Sequence, residues 1–229
     1  MLELLREEVL QANLELVRHN LVIYTFGNGS GISRKDGLVV IKPSGVDYAK
    51  MTPQDLVIID LDGKRVEGKL NPSSDVATHL ALYKAFPGIG GVVHTHSTHA
   101  TAWAQARREI PCLGTTHADY FRGAVPVTAE LAADEIRKDY EWNTGQAIVR
   151  RFAGIDPQEM PAVLVAGHGP FTWGASAAEA AHNAVILEEM ARMAAISLTI
   201  RADAWPLADV HRDKHFFRKH GATATYGQK

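Results

Sequence analysis

Two histidines, His94 and His96, stand two residues apart in the segment GGVVHTHSTHA (90–100). On an extended strand such residues point the same way, so both imidazoles present to one face. Neutral imidazole is the commonest ligand of zinc-like ions, and two from one rigid strand give a preset angle. The same spacing suits a pair of buried histidines bonded to backbone, so H-x-H alone leaves the two readings level. His168 tips the balance. It follows the apolar run AVLVA (162–166) and lies in GHGPF (167–171), between glycines that let backbone come close to a ligand. Three protein ligands with one position open is the pattern of a catalytic site. Asp75, in NPSSD (71–75), is either a carboxylate favoured by a helix N-terminus or a fourth ligand. His99 falls off the face set by His94 and His96 and is left out.

A second group of residues reads as an anion pocket. Gly27-Asn28, Lys42-Pro43-Ser44-Gly45 and Ser73-Ser74 combine glycine, hydroxyls and amides free at a helix start. Each alone is a cap or a turn; together they fit a small phosphorylated substrate. No Walker loop or dinucleotide fingerprint is present, which argues against a nucleotide.

The elements that must carry these residues follow from periodicity. Leu2, Leu5, Val9, Ala12 and Leu16 recur at helical spacing, predicting a surface helix over 2–19. Strands are expected at 38–42, 56–60, 89–96, 146–150 and 162–166, with a short one near 110–115. FGNGSGIS (26–33) reads as a glycine-rich stretch, 43–48 as a turn and 61–64 as a hairpin turn. Thr52 and Pro53 open a single helical turn. Helices are expected from 71–75 to Phe86, over 98–107 and 128–139, and from a capping box at Ser176 and Glu179 to about residue 200. A last helix spans about 207–219. The helix from Ser176 is apolar on most faces (Ala180, Ala184, Ile186, Leu187, Met190, Ala194, Ile196), more than one monomer surface should hide. That hints at subunit packing.

The bulk figures bound the class. The 229 residues are 46% apolar and 22% charged with net charge −2, the profile of one globular domain over 1–229. A nucleic-acid footprint is missing, and no run reaches the length of a membrane span. A single cysteine, Cys112, excludes an internal disulfide and any cysteine-rich zinc motif, and points to a reducing, cytoplasmic compartment. The expected architecture is helices layered on a central sheet.

Eight blocks now carry a resemblance: GNGS (27–30), IKPSGVDY (41–48), NPSSD (71–75), VVHTHSTHAT (92–101), GTTHADYF (114–121), EWNTG (141–145), GHGPFTWG (167–174) and KHGATATYGQ (219–228). In this order, over essentially the whole chain, they resemble the L-ribulose-5-phosphate 4-epimerases of the class II aldolase and adducin head superfamily. The resemblance implies an α/β domain with a mainly antiparallel central sheet between helical layers. It implies a fourfold homotetramer with active sites between subunits. It implies metal-dependent epimerisation at carbon 4 of L-ribulose 5-phosphate to D-xylulose 5-phosphate, by retro-aldol cleavage and re-addition, in carbohydrate metabolism such as arabinose catabolism.

Matched position by position, the ligands of a zinc ion, or of manganese in its place, would be His94, His96 and His168 with Asp75. The substrate phosphate would meet Asn28, Lys42, Ser44, Gly45, Ser73 and Ser74. Asp119 and Tyr226 match the acid/base pair, Tyr226 coming from the adjacent subunit. His215 matches a histidine near that pair, and Thr115 and Glu141 match supporting positions. Gly29 departs from the bulkier apolar residue expected there. An aldolase that releases its aldehyde would be expected to carry a longer glutamate at the position of Asp75. An adducin-like scaffold would lack the histidines, and a zinc hydrolase would show a glutamate base as in H-E-x-x-H.

Overall fold

The computed structural model describes residues 2–220 and 224–225. A seven-stranded antiparallel sheet forms its centre, in the order β4-β3-β2-β1-β5-β7-β6. The strands are β1 (Asn28–Ser33), β2 (Leu38–Ile41), β3 (Val57–Asp60), β4 (Arg65–Glu67), β5 (Gly91–His94), β6 (Ala162–Leu164) and β7 (Pro170–Gly174). The helices are α1 (Glu3–Arg18), α2 (Val76–Ala85), α3 (Thr98–Gln105), α4 (Thr115–Ala118), α5 (Ala133–Arg137), α6 (Tyr140–Arg151), α7 (Ala177–Ile200) and α8 (Asp209–Lys219). The expected α/β architecture with an antiparallel sheet is the one observed. Among the described residues no helix is long and apolar enough to cross a membrane.

Alternation along the strands feeds two cores. Val39, Ile41, Val57, Ile59 and Val92 pack on the side of α2 and α6, with Leu82, Tyr83 and Ile148. Val40, Ile58 and Val93 pack on the other side against α1 and the start of α7, with Val9, Leu16, Ala180 and Ala184. Side chains two apart on a strand share a face, so His94 follows Val92 towards α2. Ser30, two residues after Asn28 on β1, bonds His79 of α2 at 2.7 Å, placing that face of β1 on the same side.

Several expectations need correction. The run 146–150 is not a strand: it lies within α6, and its apolar residues Ala147 and Ile148 form a buried helical stripe with Thr144 and Gly145. Helix α6 packs closely on α2, where a Cβ at Gly145 would meet the Ala81 Cβ at 2.5 Å. The helix expected over 128–139 shrinks to the five residues of α5, and near 110–115 only an isolated bridge from Ile110 to Val125 forms. The strand expected over 89–96 ends at His94. Conversely, the glycine-rich stretch holds β1, paired on both edges, and PFTWG (170–174) is β7. At Gly31 a Cβ would come within 2.9 Å of Leu5 and Val9, so glycine there lets α1 lie on the strand.

Candidate functional site

His94 ends β5, His96 lies in the loop beyond, and His168 sits in the tight turn between β6 and β7. The strand ends too early for simple alternation to align the first two, yet their rings converge. The Nε2 atoms of His94 and His96 are 3.1 Å apart, and ligand atoms of all three histidines lie within 4.8 Å of one another. The turn is made by Gly167, at φ 71°, and Gly169, where a Cβ would stand 2.8 Å from the Thr95 carbonyl.

The protonation of the cluster follows from its surroundings. His94 is stacked on Phe171, with ring centroids 4.2 Å apart, and burial pushes its pKa down to about 3. Its Nδ1–H donates to the Pro170 carbonyl at 2.9 Å, leaving the Nε2 lone pair turned into the cluster. Burial, with His96 beside it, also lowers His168, whose Nδ1 is 3.4 Å from the Tyr140 hydroxyl. Two nitrogens bound at about 2.0–2.1 Å around a tetrahedral ion lie roughly 3.3 Å apart, close to the 3.1 Å between the His94 and His96 nitrogens. The buried, neutral His94 ring, with ligand nitrogens of His96 and His168 converging beside it, fits a divalent ion.

Asp75 occupies the N-cap position of α2 but makes no side-chain cap. Its Oδ2 accepts instead from Asn28 Nδ2 at 2.7 Å. Burial works to raise this carboxyl, and the His94 and His79 rings with the Asn28 amide outweigh it, so it sits below the usual carboxylate range. Beneath it, Ser30 links His79 to the Tyr83 hydroxyl (2.8 Å), and burial lowers His79 to about 4.

A cavity of 560 Å³ opens over these groups. It is lined by His94, His96, His168 and Asp75, and by Asn28, Lys42, Ser44, Gly45, Ser73, Ser74 and Glu141. Lys42 is 1% exposed, yet among the described residues its ammonium reaches only the Thr25 and Pro43 carbonyls, at 3.4 and 3.3 Å, above the Tyr48 ring. Burial lowers it to about 8. A buried cation with such weak partners, among hydroxyls and a helix start, is suited to an anion.

The other expected site residues gather elsewhere. Asp119 follows α4, bonded through its amide to the Thr115 carbonyl, and neither residue lines the cavity. Its carboxylate meets His215 and Arg218 of α8. Tyr226 lies outside the described residues. His99 bonds Glu188 at 2.7 Å, away from the cluster.

Sequence reasoning missed Phe26 and Tyr140 on the cavity wall, and Arg218 beside Asp119. Tyr140 adjoins Glu141, and Arg218 is one helical turn from His215; that spacing was the available signal.

Comparison with known proteins bears on this geometry. The sequence model of the class II aldolase and adducin N-terminal domain matches residues 7–195. The chain belongs to that family. Among its relatives, L-ribulose-5-phosphate 4-epimerase UlaF of Salmonella paratyphi A is 55% identical, over 98% of this chain and 99% of that protein. The UlaF protein of Salmonella typhi matches equally well. Of solved structures, an L-fuculose 1-phosphate aldolase superposes with a TM-score of 0.79 at 26% identity, covering 93% of this chain and 95% of that one. The L-fuculose-1-phosphate aldolase of Thermus thermophilus does so with a TM-score of 0.69 at 26% identity, covering 88% and 99%.

Proposed function

We infer that the protein is a metal-dependent L-ribulose-5-phosphate 4-epimerase, interconverting L-ribulose 5-phosphate and D-xylulose 5-phosphate. The observation that carries this is one cavity with three convergent imidazoles at one end and a buried, weakly partnered lysine at the other. Identity of 55% over 98% of the chain to relatives bearing that name supports the same reading.

The hydrogen on carbon 4 is not acidic, so inversion there proceeds by breaking and remaking the bond between carbons 3 and 4. His94, His96, His168 and Asp75 would hold a divalent ion, zinc in our reading, which when bound would supply Lewis acidity for that cleavage. Lys42, with Asn28, Ser44, Gly45, Ser73 and Ser74, grips the phosphate. The two-carbon aldehyde phosphate is thereby retained while it turns its other face, which separates an epimerase from an aldolase that lets it go. Asp119 and Tyr226 handle the carbon 4 alcohol protons from opposite sides, assisted by His215, Thr115 and Glu141.

Asp119 and Thr115 do not line the cavity of their own chain, so a neighbouring copy brings them to it. Exposed Ile196 and Ile200 on α7 give copies an apolar face to share, and a fourfold homotetramer satisfies both needs. Residues 1–229 act as one unit, in a reducing cytoplasm consistent with the buried thiol of Cys112.

The test is to load the protein with zinc or manganese and add L-ribulose 5-phosphate. D-xylulose 5-phosphate should form without free glycolaldehyde phosphate. No conversion rejects the reading, and accumulation of the free aldehyde replaces it with an aldolase.

A further inference from the structure

Building on the reading of Asp119 as an acid/base group, we propose that Arg218 is the positioning residue that holds the Asp119 carboxylate as a fixed, oriented proton acceptor. Arg218 Nε donates to Oδ1 at 3.0 Å and Nη2 to Oδ2 at 2.8 Å. This is the fork-to-fork arrangement, which sets the plane of the carboxylate as well as its charge. His215 Nδ1 adds a third contact, to Oδ1 at 3.1 Å. A carboxylate has about four lone-pair sites, so among the described residues these contacts leave a single direction free, on Oδ2. The Asp119 carbonyl in turn accepts from His220 Nε2 at 2.9 Å, tying the backbone to the same end of α8.

The arrangement follows from helix geometry. His215 and Arg218 are three apart and share a face of α8, which packs on α4. The charged and titratable groups facing Asp119 from α8 and its end are His215, Arg218, Lys219 and His220. On its own segment His117 is turned away to the Gly123 carbonyl, Tyr120 lies under the Lys219 ammonium, and Arg122 pairs with Asp213 and Glu159. Burial alone would raise the Asp119 carboxyl. The bonds from Arg218 and His215, with the charges of Arg218 and Lys219, overcome it and hold the group below its ordinary range. A carboxylate so held enters the reaction without its proton, and donation falls to a group that keeps a proton at neutral pH. Lysine, a point charge without the planar fork, would preserve the charge and lose the orientation.

The experiment compares wild type, R218Q and R218K, each metal-loaded, by kcat and KM for L-ribulose 5-phosphate across pH. R218Q should lower kcat at pH 7 by about tenfold or more with KM within about twofold, and the acidic limb of kcat should move to higher pH. R218K should keep the wild-type acidic limb while losing rate. An unmoved limb in R218Q, or identical profiles for the two variants, overturns the proposal. A second readout needs no turnover: the Asp119 carboxyl is titrated by NMR in protein labelled with 13C-aspartate, its resonance assigned through D119N. It should titrate at higher pH in R218Q. If wild type makes no D-xylulose 5-phosphate the epimerase reading fails, and this titration alone decides Arg218: an unchanged curve rejects it.

Discussion

His94 ends a strand paired on both sides in the middle of the sheet, stacked on Phe171 and 1% exposed. Asp119 instead follows a four-residue helix and is held by two side chains of a terminal helix. The first region is stiff where the backbone bonds of β1, β5 and β7 fix His94, with His96 and His168 carried on the short connections that leave β5 and enter β7. His94 and the His79 ring behind it are buried, and that burial keeps them neutral. The second depends on side-chain contacts at a boundary between elements, centred on the charged Asp119 carboxylate and Arg218. The contrast matches the demands on each. Metal ligands must present lone pairs at set angles, whereas a proton acceptor must carry charge and be reachable by a substrate held elsewhere.

The largest expected effect falls on the stiff half. His96→Ala should abolish metal binding, measured by bound metal per chain, and with it conversion of L-ribulose 5-phosphate. Lewis-acid stabilisation worth several kcal/mol corresponds to a loss on the order of 10³ or more. Full metal content in this variant would mean that the three-imidazole cluster is structural only.

Asp119→Asn tests the other half. Because Asp119 does not line the metal cavity, metal content should be unchanged while kcat falls by about 10²–10⁴. Loss of metal here would join two regions that the geometry separates.

Next in size is acid stability, which should come from buried histidines on both sides of the contrast, His79 beneath the metal ligands and His117 on α4. Burial lowers His79 and His117 to about 4, below the value near 6.5 of an unfolded histidine. A folded pKa below the unfolded one gives stability that is complete above pH 6.5 and lost as pH falls towards 4. Denaturant unfolding of metal-free protein should lose on the order of a few kcal/mol across that window. A flat profile there would contradict buried neutral histidines.

The same contrast governs what the sequence discloses. The H-x-H spacing and the glycines around His168 are local, and their chemistry can be read without the fold. The sheet that aligns them was only partly legible. Strands β2 and β3 show apolar runs, but β1 holds a single apolar side chain, Ile32, among asparagine, glycine and serine, because Gly29 and Gly31 admit α1, so it carries no apolar run. Residues 146–150 look like a strand because Ala147, Ile148 and Val149 are adjacent; close packing on α2 through Gly145 makes them a helix face. Asp119 offers no local pattern at all. Its meaning rests on residues 96 to 99 positions later, His215 and Arg218 among them, and only the resemblance pointed to it.

The smallest prediction asks how independent the two regions are. Arg122 ties α8 to the body of the protein through Asp213 and Glu159, and its bond to Asp213, with that of Arg212, holds the Asp213 carboxyl down at about 2. Both pair members are about a third exposed, so solvent screens them, and such pairs are typically worth about 0–1 kcal/mol. Asp213→Asn leaves the Glu159 contact in place, so stability should drop by less than about 1 kcal/mol and kcat by no more than roughly twofold. Metal affinity, measured by competition with a chelator, should not move, because no part of this network touches the cavity. A weakened metal site would show that α8 and the sheet respond as one body, and the division between a stiff donor half and an adjustable proton half would have to be withdrawn.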